Sequence, residues 1–258
     1  MTKLAHEPWW TPFYDDLLAA LFLEQTSPDA IDQTIAFIAD RLALAPGARI
    51  FDQCCGVGRL SLPLAERGYE VVGIDQAGSY IEHAQAQVQT RGLSVAFHTA
   101  DAFDFVPEKP CAGAINWWTS FGYATNDHTN LRMLERAFEA LEPGGRFMLD
   151  GMNLPGLLRD FQRDSVTRCT TTLGEIVLLR ESTLDFSAGV LHKRWSYFLA
   201  NGERVVHDSA VRLYMPHTIA EMLSACGFVD IELFGDIDAQ ELTINSPRCI
   251  LLARRPMP

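Results

Sequence analysis

From residue 48 to residue 150 the chain alternates short apolar runs with stretches of helical spacing, and few architectures accept that alternation. Residues 48–53, 69–74, 93–98, 111–117 and 146–150 read as strands. Between them, Ala77, Ile81, Ala84 and Val88 recur on one helical face that Gly92 closes, and Leu131, Leu134, Phe138 and Leu141 form a second stripe. Such a pattern predicts a parallel, doubly wound sheet with helices on both faces. Ligands of these sheets bind beyond the carboxyl ends of the strands, where the strand order reverses.

Outside that region the pattern changes twice. Residues 165–214 carry no helical stripe, and Thr, Val, Leu and Tyr dominate. Turn signals at Ser187-Ala188-Gly189 and Asn201-Gly202 predict an antiparallel insertion of three or four strands. A helix (Ile219, Met222, Leu223, Cys226) and strands at 228–234 and 248–254 then close the domain. Before the sheet, Phe13, Leu17 and Leu21 predict one helix, and Ser27-Pro28 opens another with Ile31, Ile35, Ile38 and Leu42 on its inner face. The expected organisation is a helical lid over 1–45, a core of 46–151 and 215–258, and a β insertion over 152–214 that covers substrate or makes a dimer contact.

Charge narrows the partners. At a net −12 with three lysines (Lys3, Lys109, Lys193) and dispersed arginines, the bulk field repels nucleic acid and favours a small-molecule substrate. No apolar run reaches the length of a membrane span, and residues 1–8 lack the apolar region of a signal peptide, so a cytoplasmic protein is expected. The cysteines at 54, 55, 111, 169, 226 and 249 form no CxxC pair, so neither a disulfide framework nor a metal site is expected.

The turn after the first strand is Asp52-Gln53-Cys54-Cys55-Gly56-Val57-Gly58, where glycines let a ligand approach the backbone. Asp75 ends the second strand, placed to accept both ribose hydroxyls of a nucleoside, with Gln76 beside it. Thr99-Ala100-Asp101-Ala102-Phe103 follows the third strand, and Glu142-Pro143-Gly144-Gly145 precedes the fifth. This ordered set resembles the class I S-adenosylmethionine-dependent methyltransferases, most closely the group that modifies amino sugars and other metabolites. The resemblance implies a Rossmann-like seven-stranded sheet with S-adenosylmethionine as cofactor and S-adenosylhomocysteine as product. It further implies a cofactor site of Asp52, Cys54, Gly56, Gly58, Arg59, Asp75, Gln76, Asp101, Ala102, Phe103, Asn116 and Trp117. Cys54 replaces the usual first glycine, which a small side chain tolerates where φ is negative. A dinucleotide reading of Gly56-x-Gly58-x-x-Ser61 predicts neither the Pro-Gly-Gly turn nor the β insertion.

Methyl transfer is a direct displacement, so alignment in a dry pocket matters more than acid–base chemistry. Trp118, Phe121 and Tyr123, which follow the fourth strand, are candidates to wall the substrate, with Tyr123 and His128 as catalytic candidates. Trp9-Trp10-Thr11-Pro12-Phe13-Tyr14 resembles the group's lid helix, which assigns Tyr14 to the cofactor and to catalysis. Arg212 and Tyr214 are candidates for gripping a substrate carboxylate or hydroxyl, and His207 has no evident partner. Alternative readings are an RNA or protein methyltransferase, or a non-catalytic S-adenosylmethionine-binding protein. The absence of Asn-Pro-Pro-Tyr at 116–119 argues against methylation of nucleobase amines.

Overall fold

The computed structural model describes residues 8–23 and 27–258. Its main sheet has seven strands, β1 (Arg49–Gln53), β2 (Glu70–Asp75), β3 (Val95–Thr99), β4 (Cys111–Asn116), β5 (Leu141–Gly151), β10 (Val229–Phe234) and β11 (Cys249–Arg254). Their order is β10-β11-β5-β4-β1-β2-β3. Strands β1 to β5 run parallel, β11 adds antiparallel to β5, and β10 pairs antiparallel with β11 and so runs parallel to the others. The order reverses between β1 and β4, so the switch point lies at their carboxyl ends. Buried on both faces, β1, β4 and β11 read as continuous apolar runs, with Ile50, Phe51, Ala114, Ile115, Ile250 and Leu251 fully inside.

Helices α3 (Pro28–Arg41), α4 (Ser61–Glu66), α5 (Gly78–Arg91), α6 (Asp127–Ala140) and α8 (Pro216–Ala225) cover the sheet. Pro28 at the first position of α3 and Gly92, left-handed at the end of α5, stand where helix chemistry favours them. On α6, the Asn126 side chain accepts the Thr129 amide as an N-cap.

A second sheet of four antiparallel strands joins β6 (Asp164–Thr171), β7 (Gly174–Asp185), β8 (Val190–Leu199) and β9 (Arg204–Arg212) in chain order, after a short helix α7 (Leu154–Arg159). Asp185 Oδ1 accepts the amides of Ser187 and Ala188 in the β7–β8 turn, and Asn201 Oδ1 accepts that of Glu203 in the next.

The single helix expected from Phe13 onward is broken. Helix α1 (Trp10–Phe13) ends at Tyr14, and Asp15 caps α2 (Asp16–Leu18) by accepting the Leu18 amide at 3.0 Å. A π-helical turn, Ala19–Leu23, follows. Capping by Asp15 competes with continuing the helix, as short acceptor side chains do. This segment lies between the two sheets. Leu21 packs with Ile176, Leu178 and Tyr197, Phe13 meets the Trp195 ring at 5.3 Å, and Asp15 Oδ2 is 2.8 Å from His207 Nε2. His207 therefore has a partner, 192 residues away in sequence. Among the described residues no helix is long and apolar enough to cross a membrane.

Candidate active site

A pocket opens at the carboxyl ends of β1, β2 and β4, the switch point itself. Its floor is the turn after β1. Asp75 Oδ2 accepts the Gly56 amide at 2.9 Å and Oδ1 accepts the Ala77 amide at 2.9 Å, so one carboxylate fixes the turn and the start of α5. Each carboxylate oxygen has a further lone pair, and Asp75 lines the pocket. Burial pushes its carboxyl up from the ordinary range, and the amides of Ala77 and Gly56 pull it back.

Gly56 has φ +56, and a Cβ there would meet only Leu23 Cδ1 at 3.9 Å, so the backbone is bare toward the pocket. Cys54 has φ +66, which corrects the expectation of a negative φ: the residue in the usual glycine's place keeps a glycine's conformation at a steric cost. Its thiol is driven well above the usual range by burial and then by Asp75, Asp52 and Asp101, so it stands there protonated.

The opposite wall comes from the loop after β3. Asp101 Oδ1 accepts the Phe103 amide at 2.8 Å, Ala102 and Phe103 are buried, and Trp10 packs 6.0 Å from the Phe103 ring. Gln76 Nε2 holds that indole's residue by donating to the Trp10 carbonyl at 3.1 Å. Tyr80, on α5, donates to the Asp15 carbonyl at 2.7 Å and lines the pocket.

The roof is aromatic. Tyr14 and Tyr123 hydrogen-bond through their hydroxyls with stacked rings. Burial is the main reason both phenols titrate far above their ordinary value, so they are neutral hydroxyls. Trp118 and Thr119 adopt φ +58 and +59, a left-handed kink rare in non-glycine residues and concentrated at functional sites. Buried Asp150 holds that kink: its carboxylate accepts the Trp118 amide at 3.0 Å and Arg248 Nη1 at 2.7 Å, and its carbonyl accepts the Thr119 amide at 3.0 Å. Over the kinked Trp118 ring lies the Arg59 guanidinium, 3.5 Å from the centroid, its Nη1 donating to the Phe22 carbonyl at 3.0 Å. Desolvation, with Arg248 nearby, pulls the Arg59 guanidinium down to about 10.

Tyr14, Leu23, Arg59, Trp118 and Tyr123 are shared with a second cavity, which continues between the N-terminal segment and the inner face of the small sheet. Trp9, Phe13, Phe22, Trp195 and Leu191 make it apolar, and Arg180 and Lys193 enter from β7 and β8.

Several expected site residues lie elsewhere. Asp52 is turned into the core, accepting Ser61 Oγ at 2.5 Å. Gly58 serves packing, since a Cβ would stand 2.9 Å from the Phe97 ring. Asn116 donates to Gln53 Oε1 at 3.1 Å within the sheet, and Gln53 in turn donates to the Met133 carbonyl. Trp117 lines the pocket while its ring packs in the core with Ile35, Met148 and Phe234. Phe121 is buried against Tyr214 at 5.4 Å. Arg212 and Tyr214 both engage Asp127 on α6, and the Tyr214 hydroxyl also accepts from Asn130 Nδ2. They pin the end of β9 to the main sheet and line neither cavity. His128 is exposed on the first turn of α6, away from both cavities. For Asp52 and Arg212 the reason is that a carboxylate or guanidinium takes the nearest complementary partner, and that partner is set by folding, not by spacing. Tyr80, Arg180 and Lys193 line the cavities without a motif that marks them. Asp150, the kink's anchor, was equally unmarked.

Residues 50–145 match the family model of the methyltransferase domain. That stretch, from β1 into β5, therefore carries the sequence pattern of a methyltransferase domain. Among curated proteins, it is 32% identical over 132 residues to an S-adenosyl-L-methionine-dependent Diels-Alderase, iccD, of Talaromyces variabilis, covering 48% of this chain and 44% of that protein. It is 37% identical over 83 residues to the 23S rRNA (uracil(1939)-C(5))-methyltransferase RlmD of Alkalilimnicola ehrlichii, covering 32% of this chain and 18% of that one. The chain thus spans less than half the length of either. With the putative methyltransferase YqeM of Bacillus subtilis it shares 25% identity over 246 residues, covering 92% and 95% of the two chains. The methyltransferase fold extends through the second sheet. The CcbJ methyltransferase of Streptomyces caelestis superposes with a TM-score of 0.79 at 19% identity, covering 94% of this chain and 98% of its own. CalS10 of Micromonospora echinaspora, an amino pentose methyltransferase solved with S-adenosylmethionine bound, gives 0.68 at 17% identity over 90% and 93%.

Proposed function

We propose that this protein is a methyltransferase that moves the methyl group of S-adenosylmethionine to a nitrogen or oxygen of a small metabolite. The observation that carries the reading is the adjacency of two cavities: a pocket over Asp75 and the bare Gly56 turn, and an aromatic cavity that shares Tyr14, Trp118 and Tyr123 with it. Asp75 offers free lone pairs for the ribose, Asp101, Ala102 and Phe103 receive the adenine, and Arg59, Tyr14 and Gln76 surround the remainder. S-adenosylmethionine supplies an electrophilic methyl on a positively charged sulfur.

The residues of the chain bind and align. Trp118, fixed by the Asp150–Arg248 pair, and the Tyr14–Tyr123 pair stand between the cavities, where an acceptor must be aimed. Neutral tyrosine hydroxyls orient a lone pair by hydrogen bonding, and their lowered acidity rules them out as phenolate bases near neutrality. Among the described residues no histidine lines either cavity; in this reading a protonated acceptor loses its proton to water or a carboxylate, and an amine that is already free needs no base. The aromatic walls exclude water from the reacting atoms.

The N-terminal segment acts as the lid and the second sheet as the substrate cover in this reading. The apolar lining of the cavity and the negative chain favour a metabolite over RNA, and the relatives named above include both kinds of acceptor. Isothermal titration calorimetry tests the central claim: micromolar binding of S-adenosylhomocysteine and none of NADH is expected, and the reverse overturns it.

A further inference from the structure

The acceptor cavity carries charge of one sign. Arg59, Arg180 and Lys193 line it, and among the described residues no Asp or Glu does, although the chain as a whole has a net charge of −12. Arg59 is stacked on Trp118 and belongs to the cofactor side. The other two form a separate pair. On β7 and β8, Arg180 stands opposite Trp195 and Ser182 opposite Lys193, so Arg180, Lys193 and Trp195 share the inner face of the small sheet. Both cations lie against the same indole, Arg180 Cζ at 5.5 Å and Lys193 Nζ at 5.8 Å from the ring centroid.

Neither cation has an acidic partner. Among the described residues neither forms an ion pair, and Arg180 Nε is buried with no hydrogen-bond acceptor. Among the described residues, the acids of the neighbourhood are committed or turned away. Asp15 is taken by His207 and the Leu18 amide, and Asp160 by Arg159. Asp208 pairs with Arg194, and alternation places it with Glu181 on the outer face. Burial, and then Arg180, pull the Lys193 ammonium down from its ordinary range, the signature of two like charges held together without a counter-charge. Two half-buried cations side by side cost stability unless something in the working state neutralises them.

We propose that Arg180 and Lys193 form an anion subsite of the acceptor cavity, so that the metabolite carries a carboxylate or a phosphate at the end remote from the methylated atom. Trp195 gives this subsite a flat apolar wall, and Ser182 and Ser209, paired across from Lys193, flank it with hydroxyls. The methylated atom then lies toward Tyr14 and Tyr123, and the anion toward the small sheet, which fixes the acceptor's orientation in the cavity. This inference rests on the acceptor-cavity reading above, but its test does not require turnover.

The probes are benzoate, phenyl phosphate and the neutral benzamide, titrated calorimetrically into the full chain and into Arg180→Met, Lys193→Met and the control Arg194→Met. Wild type and the control should bind at least one anion more tightly than benzamide. Each cavity variant should lose that anion by about tenfold or more, as expected for a charge-assisted hydrogen bond, with benzamide unchanged. The preferred anion separates the two acceptor chemistries. Without ligand, both cavity variants should melt above wild type, and the anion should raise the wild-type midpoint selectively. S-adenosylhomocysteine binding in the same samples reports folding. If wild type binds the anions no better than benzamide, or the variants bind them as wild type does, the subsite is refuted. If the anions behave as expected while S-adenosylhomocysteine fails to bind wild type, the methyltransferase reading falls and the anion site stands.

Discussion

Exchanging Asp75 for asparagine changes one atom of the side chain and tests the cofactor site at its centre. In the native turn both carboxylate oxygens accept backbone amides, from Gly56 and Ala77, each at 2.9 Å. Asparagine keeps one acceptor oxygen and presents an NH2 group where the other stood. One turn amide therefore faces a donor, and one ribose hydroxyl loses its acceptor. A hydrogen bond to a charged group contributes about 1.5–3 kcal/mol, so losing one directly and loosening another costs about 3 kcal/mol, or about a hundredfold in affinity. The assay is the calorimetric Kd of S-adenosylhomocysteine. A second ligand separates the ribose contact from damage to the turn. For 5′-methylthioadenosine and its 2′-deoxy analogue, wild type should discriminate by about tenfold, and Asp75→Asn should scarcely discriminate. A variant Kd within about threefold of wild type, or the same 2′-deoxy penalty in both proteins, refutes the placement of the ribose on Asp75.

Two further outcomes follow from buried carboxyls. Asp52, desolvated and close to Asp75, titrates at about 7 against 3.8 for the free side chain. Its folded value is raised, so it stabilises fully below the unfolded value and that stabilisation is lost as pH climbs through about 7, on the order of 4 kcal/mol at most. Asp52→Asn keeps an acceptor for Ser61 and should melt higher than wild type at about pH 8, with a flatter dependence of Tm on pH between about 4 and 7. Identical pH profiles count against it. Arg248→Met strips the Asp150 carboxylate, which titrates at about 6, of its cation. Orphaning one half of a buried pair costs about 3–5 kcal/mol, seen as a lower Tm that worsens as pH rises past about 6 and partly recovers in the Asp150→Asn/Arg248→Met double variant. An unchanged Tm rules out the pair as the anchor of the Trp118 kink.

What could be read from the chain, and what could not, divides by sequence separation. The edges of β1, β2 and β4 fall within a residue or two of their apolar runs, because a strand buried on both faces writes its length directly in Val, Ile, Ala and Phe. Asp75 and Asp101 were legible for a similar reason: each sits at a strand's carboxyl end, a position that the parallel topology alone places at the switch point. Alternation likewise put Arg212 on a definite face of its strand. It could not show that the guanidinium would meet Asp127, 85 residues earlier, and not a substrate. The same blindness hid Asp15 from His207 and Asp150 from the Trp118 amide, and left the helix break at Tyr14 unread. Arg180 and Lys193 are the sharpest case. On a strand they read as ordinary solvated cations in a chain short of lysine, and only the fold, by laying the N-terminal segment across the small sheet, sets them beside one indole with no ion-pair partner among the described residues. Local pattern specifies the scaffold and the placement of a cofactor turn, whereas acceptor specificity is built from residues that only tertiary packing brings together, so the substrate is the part of such an enzyme that a sequence conceals longest.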